Sequence, residues 1–315
     1  MNMESNYAMR YIKAFRALNC DIQVYLETTF NGDEILRDLP AQVEDIESHL
    51  SRFRHDSELS RLNAAVGDWL RVSRLLLANI VTAKQAAQVT EGLYNPLILD
   101  TLIAAGYDRS FQLLPQSRRS SIPSIQTVAN WRDIEIDIVN ERVKIPAKID
   151  LGGVAKGWLA EKIAKQLSIH GACLVSIGGD IAVRGRSSHM RGWEISVAQP
   201  TKDKGDILHV LLSDGSIATS GTVTRRWIVN GYSQHHIIDP RTGKPATTDI
   251  LSATVIHPVA LIAESYAKAI VILGSKAGLD WLKSQGNVAV HMTLNDYTVK
   301  TTSGFLDFVT AKSLG

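Results

Sequence analysis

Short alternating apolar runs crowd the chain from residue 134 onward, and this constrains the fold more than any other feature. Strand-like runs fall at residues 134–139, 142–145, 172–177, 181–184, 193–198, 207–212, 226–229, 236–238 and 252–256, with two more near 288–293 and 297–302. Residues 19–27 add a half-buried strand, with Cys20, Ile22, Val24 and Leu26 on one face. Helical spacing is confined to four stretches. Residues 33–53 carry Ile35, Leu36, Leu39, Val43, Ile46, Leu50 and Phe53 at helical intervals, and Pro40 must start or kink a helix there. A second helix is expected from Ser73 as N-cap to Gly92 as C-cap, a third over 154–169 and a fourth over 261–273. Strands in consecutive runs with few helices read as α+β, a mostly antiparallel sheet with flanking helices. Residues 54–63 are polar and loop-like, and the Ser/Pro-rich stretch 115–127 reads as an exposed loop or an internal excursion near 112–130.

At 315 residues the chain suffices for one large or two modest domains with a sizeable core. Its 34 basic and 32 acidic residues leave a net charge of +2, with no basic block, so a nucleic-acid or membrane-surface partner is not expected. Two cysteines, Cys20 and Cys173, allow neither a disulfide framework nor a Cys-based zinc site, and both are expected as buried, reduced thiols. Residues 1–13 hold no apolar stretch of signal-peptide length, and no run approaches the roughly 20 apolar residues of a membrane span. The expected location is cytoplasmic.

The generic catalytic and nucleotide motifs are missing: no G-x-G-x-x-G, Walker loop, H-E-x-x-H or G-x-S-x-G occurs. Four other segments carry chemistry. In Asp150-Leu151-Gly152-Gly153-Val154-Ala155-Lys156-Gly157, two glycines at a helix entrance let backbone N–H groups approach an anion. Asp150 there either accepts from a ligand or caps the helix, and Lys156 stands one turn in, able to meet a phosphate. Ser176-Ile177-Gly178-Gly179-Asp180 is a strand end entering a Gly-Gly turn, with a hairpin and a solvated Asp180 as the plain alternative. Ala218-Thr219-Ser220-Gly221 precedes His235-His236-Ile237-Ile238-Asp239-Pro240-Arg241-Thr242-Gly243. Strand alternation sends His235 and His236 to opposite faces, so only one can point into a given site; it is either a proton acceptor, with an adjacent aspartate to orient it, or a satisfied structural residue. On the fourth segment, residues 261–273, the apolar surface is broad and the polar stripe narrow. Glu264 and Lys268 are either an exposed i,i+4 pair or the lining of a cleft.

These segments, in this order, resemble the ApbE family of FAD:protein FMN transferases. Phe15-Arg16-Ala17-Leu18-Asn19 is similar to the family's F-x-A-M-G-T opening, residues 50–63 to its L-S-x-Y-x-x-D-S-E-[LI]-S-x-[LI]-N signature, and Gly92-Leu93-Tyr94-Asn95-Pro96 to its G-x-F-D-P segment. The likeness spans about residues 12–290, expected to form a single domain, with strands and a tail over 291–315. It implies a T-fold-like architecture and transfer of FMN from FAD to a Thr or Ser hydroxyl of an acceptor flavoprotein, with release of AMP. It further implies that Leu18, Phe53, Leu93, Tyr94, Asn95, Asp150, Lys156 and Ile237 contact FAD, and that His236 is the catalytic base. Magnesium would be held by the Gly153 carbonyl and by an Asp and a Thr on the late helix. Here Glu264 and Lys268 occupy those two positions, and Lys268 stands to replace the metal. That departure keeps two alternatives open, a flavin-binding protein without transferase activity and an FAD pyrophosphate hydrolase.

Overall fold

The computed structural model describes residues 8–119, 127–188, 191–198, 200 and 206–310. Eight strands make the main sheet. Along the chain they are β1 (Met9–Ala17), β2 (Cys20–Thr28), β3 (Ala172–Ile177), β4 (Asp180–Arg184), β5 (Gly215–Gly221), β6 (Ile250–His257), β7 (Ala289–Leu294) and β8 (Val299–Thr301). Neighbours in the sheet are neighbours in sequence, and every pairing is antiparallel. The sheet is therefore a meander, and the cleft is built from its hairpins and strand ends together with segments inserted between its strands. This is the α+β architecture read from the sequence.

Two tight hairpins fix the register. Ala17 pairs with Cys20 across Leu18 and Asn19, which sit at φ 54° and 55°. Ile177 pairs with Asp180 across Gly178 and Gly179, at φ 58° and 95°. Both central residues at positive φ match the right-handed strand twist, as two-residue hairpins require. The side chains of Ile22, Val24 and Leu26, with Cys173, Val175 and Ile177, point to the helical layer, whereas Tyr25 and Leu174 pack on the opposite face.

The helices are α1 (Gly32–Leu36), α2 (Leu39–Leu50), α3 (Glu58–Ala64), α4 (Arg74–Val89), α5 (Leu99–Ala104), α6 (Ala155–Leu167), α7 (Ala260–Leu273), α8 (Ser275–Ser284) and α9 (Ser303–Leu306). The first core lies between β2, β3 and helices α2, α3, α4 and α6; a second joins α7 and α8 to β6 and β7. A ribbon of Trp193–Ala198 and Asp206–Leu212 covers the other face of the sheet, together with the fully buried Phe305.

Pro40 starts a helix as expected: it takes the first turn of α2, where its missing N–H costs nothing, and α1 is a separate short helix before it. Other expectations are corrected. Residues 54–63 are not all loop: the Ser57 side chain accepts from the Ser60 N–H at 3.0 Å and starts α3. Helix α4 is capped by Ser73 as expected but ends at Thr90, with Gly92 at φ 87° two residues beyond. His236 and Ile237 do not lie in a strand; they bridge Tyr232–His235 and Ile238–Asp239. Within the 115–127 stretch, Ser117–Arg118 pairs in parallel with Arg226–Val229, while residues 120–126 lie outside the described residues. Strands β1 and β5 and helices α5 and α8 had no counterpart in the sequence reading. Both cysteines are free; Cys173 is buried, whereas Cys20 is only partly so.

Candidate functional site

One cleft gathers the segments singled out in the sequence. It opens where the β1–β2 and β3–β4 hairpins, the entrance of α6, the end of β5 and the middle of α7 converge. Leu18, Phe53, Leu93, Tyr94, Asn95, Asp150, Gly153, Lys156, His236, Ile237 and Lys268 all line it. Glu264 stands behind Lys268, 1% exposed. The sequence reading did not single out Arg52, Tyr107 and Arg225, which line it as well. Arg52 lay inside a recognised signature, at a variable position of it. Arg225 follows Thr219-Ser220-Gly221 by a few residues, and its spacing alone carried no signal.

The cleft has two chemically different ends. One is aromatic: Phe53 and Tyr107 stand 5.9 Å apart between ring centroids, next to Leu102 and Ile238. The Arg52 guanidinium lies over both rings, 4.1 Å from Phe53 and 4.6 Å from Tyr107. Its Nε is 2.6 Å from Asp150 Oδ2 and its Nη1 donates to the Tyr107 carbonyl at 3.0 Å, but Nη2 is buried without a hydrogen-bond partner. Asp150 also accepts from the Gly152 N–H at 2.9 Å, so it holds the bend and clamps Arg52. It does not cap α6, whose N-cap is Val154.

The other end is ionic. The Lys156 ammonium is joined to Asp180, which is 4% exposed rather than solvated. Burial acts to lower the Lys156 pKa, but Asp180 and Glu264 outweigh it and the net shift is upward, so the ammonium keeps its proton. Lys268 Nζ donates to Glu264 Oε1 at 3.1 Å, and the Gly157 N–H donates to Oε2 at 3.2 Å. The pair is thus a buried one that ties α7 to α6, not a solvent-exposed one. Burial pushes the Glu264 carboxyl up, against the pull of Lys268.

Glycine is required at this crossing. A Cβ on Gly153 would stand 2.7 Å from the Tyr94 ring and 3.1 Å from Lys268 Cε. A Cβ on Gly157 would stand 2.7 Å from Glu264 Oε2. The absence of side chains lets Tyr94 and the two charged groups approach the bend.

The two histidines point different ways, although only His235 lies in a strand. His235 is buried, with Nε2 3.0 Å from the Ala246 carbonyl. His236 faces the cleft, and its buried Nδ1 has no partner. Asp239 does not orient it: that carboxylate is held by Arg241, at 2.9 Å from Nε and 2.8 Å from Nη2. Burial, reinforced by Arg225, Lys268, His235 and Lys156, holds the His236 pKa well below 6.5, so the imidazole is neutral at neutral pH. The Tyr94 hydroxyl is a third buried polar group without a partner, and burial beside Asp150 and Glu264 keeps it protonated. Three unpartnered polar atoms facing one cleft are what a polar ligand would satisfy.

A divalent cation does not fit this donor set. Both Glu264 oxygens are engaged, Lys268 is an ammonium with no free lone pair, and no cluster of three or more His, Cys, Asp or Glu side chains suited to a metal occurs among the described residues.

Fold and cleft together define a class: an α+β protein whose antiparallel meander carries a pocket lined by aromatic rings at one end and by buried charged groups at the other. The ApbE family model matches residues 17–292, and the chain belongs to the ApbE family. It is 29% identical over 283 residues to an FAD:protein FMN transferase of Treponema pallidum, covering 82% of this chain and 77% of that one. It is 26% identical over 275 residues to an FAD:protein FMN transferase of Vibrio cholerae, covering 85% and 80%. Among solved structures, the ApbE protein of Thermotoga maritima superposes with a TM-score of 0.83 at 25% identity, covering 95% of this chain and 99% of that one. The Pseudomonas stutzeri flavinyl transferase, at 0.80 and 20% identity over 98% of each chain, matches in fold. No helix among the described residues is long and apolar enough to cross a membrane.

Proposed function

We infer that this protein is an FAD:protein FMN transferase, moving FMN from FAD to a threonine or serine hydroxyl of an acceptor protein and releasing AMP. The observation that carries the reading is the placement of a neutral, unpartnered imidazole, His236, in the same cleft as the Gly152–Gly153 bend and the Lys156 ammonium. The names of the family's relatives agree with it.

In this reading the diphosphate of FAD lies at the ionic end, near Lys156 and the entrance of α6, where the positive end of the helix dipole favours an anion. Phe53 and Tyr107 offer a face to one of the ring systems, and Leu18, Leu93, Tyr94, Asn95 and Ile237 complete the walls. His236 takes the proton of the acceptor hydroxyl as its oxygen attacks the FMN phosphorus. The bond from that phosphorus to the bridging oxygen breaks, and AMP leaves with the bridging oxygen. Holding the two reactants in line supplies much of the acceleration, since little covalent work is asked of the protein.

A His236→Ala variant should bind FAD like the unaltered protein but release no AMP when acceptor is added. Normal turnover by that variant would remove the assignment of the base. The Lys268–Glu264 pair also favours a second reading, a flavin holder without transfer. A fluorescent acceptor band on a denaturing gel separates the two.

A further inference from the structure

The cations at the ionic end are not equivalent. Lys156 is matched by Asp180 and Lys268 by Glu264, whereas Arg225 makes no hydrogen bond or ion pair among the described residues. Arg225 nonetheless lines the cleft together with His236. Lys268 reaches the Gly153 bend with its Cε, as the 3.1 Å approach to a Cβ there shows. An unmatched guanidinium and an ammonium thus stand around the imidazole.

The chemistry of the transfer needs charge there. When the hydroxyl proton passes to His236 and the phosphorus–oxygen bond to the leaving AMP breaks, the phosphates together carry one more negative charge than FAD did. Fixed positive groups at the place where charge develops lower the barrier most.

We propose that Lys268 and Arg225 supply this charge, so that transfer proceeds without a divalent cation. The inference rests on the flavin-transfer reading. Lys268 is held by Glu264 against the bend, where it meets the diphosphate on binding. Arg225, free of any carboxylate among the described residues, takes the charge that appears on the leaving phosphate.

The test uses chelator-stripped protein with FAD, and Mn²⁺ as the probe, followed by its paramagnetic resonance signal. The protein–FAD complex should take up no more Mn²⁺ than free FAD does. AMP release with acceptor should survive EDTA within about twofold, and Arg225→Ala or Lys268→Met should slow it by roughly a hundredfold, the scale for losing one preorganised charge donor. One Mn²⁺ bound per chain in the unaltered complex, or transfer lost in EDTA and restored by Mg²⁺, would overturn the inference and leave the flavin-transfer reading standing. Failure of FAD to bind at all would overturn that reading, and this one with it. The Mn²⁺ measurement needs no variant to fold.

Discussion

His236 is pressed toward the neutral form by burial and by Arg225, Lys268 and Lys156, of which Arg225 alone has no carboxylate partner among the described residues. The sign of the pH dependence follows. With its pKa well below the ordinary 6.5, the free protein keeps the base unprotonated through neutral pH and loses it only in acid. A bound diphosphate offsets the three cations, stabilises the imidazolium and raises that pKa. Since kcat/KM reports the free protein and kcat the complex, the acid limb of kcat/KM should lie below pH 6.5 and that of kcat at higher pH. PH–rate profiles check this. Coincident limbs, or a kcat limb at lower pH, would contradict the electrostatic account. The imidazole itself was legible in the sequence from the paired histidines before the Asp239-Pro240 turn, although His236 lies past the strand end and not within a strand. Its surroundings were not: Asp239 looked close enough to orient it, but Arg241, two residues on, claims both carboxylate oxygens. Arg225 was invisible for a related reason, since a cation with no partner at helical or strand spacing leaves no pattern.

The elements that build the cleft are held by close approaches at glycine. Gly178 sits at φ 58° with a Cβ position 2.9 Å from Cys20 Cβ, whereas Gly179, at φ 95°, has open space around it. Alanine at 179 pays only for the backbone, about 1 kcal/mol, while alanine at 178 adds a clash between the two hairpins, for a total of about 2–3 kcal/mol. Urea denaturation of Gly178→Ala and Gly179→Ala should show that order, and equal losses would mean that the hairpins do not press on one another. The Gly-Gly turn and the near-wholly buried α7 were legible, one from turn chemistry and the other from an apolar surface too wide for a surface helix. Strand β1 was not, because it is an edge strand with exposed Met9 and Ile12 and a weak alternation. Strand β5 was missed because it buries small polar residues, Ser216 and Ser220, where the eye expects Val or Ile. In α8, Gly278 interrupts the helical pattern and packs close to Ile270 of α7.

At the scale of the whole molecule, a simple meander acquires a site through its insertions. The long passage from β2 to β3 brings the aromatic end and α6, the passage from β5 to β6 brings Arg225 and His236, and α7 brings the Glu264–Lys268 pair. Each insertion supplies one part of the cleft and none supplies all of it. That is why the sequence displayed scattered constellations, joined only by their order along the chain and by the resemblance that order carries. The aromatic end was the least visible part, since Arg52 and Phe53 come from one turn and Tyr107 from a distant one, and they meet only in the fold. The account depends on this assembled cleft holding a flavin dinucleotide by both ends. Its most direct test is an equilibrium titration of the unaltered protein with FAD, riboflavin and AMP, followed by flavin and tryptophan fluorescence. Saturable one-to-one binding of FAD, at least tenfold tighter than that of either fragment, is the predicted result, a gain of about 1.4 kcal/mol or more from joining the two ends. An FAD affinity no better than that of riboflavin or AMP, or no flavin binding at all, would contradict it.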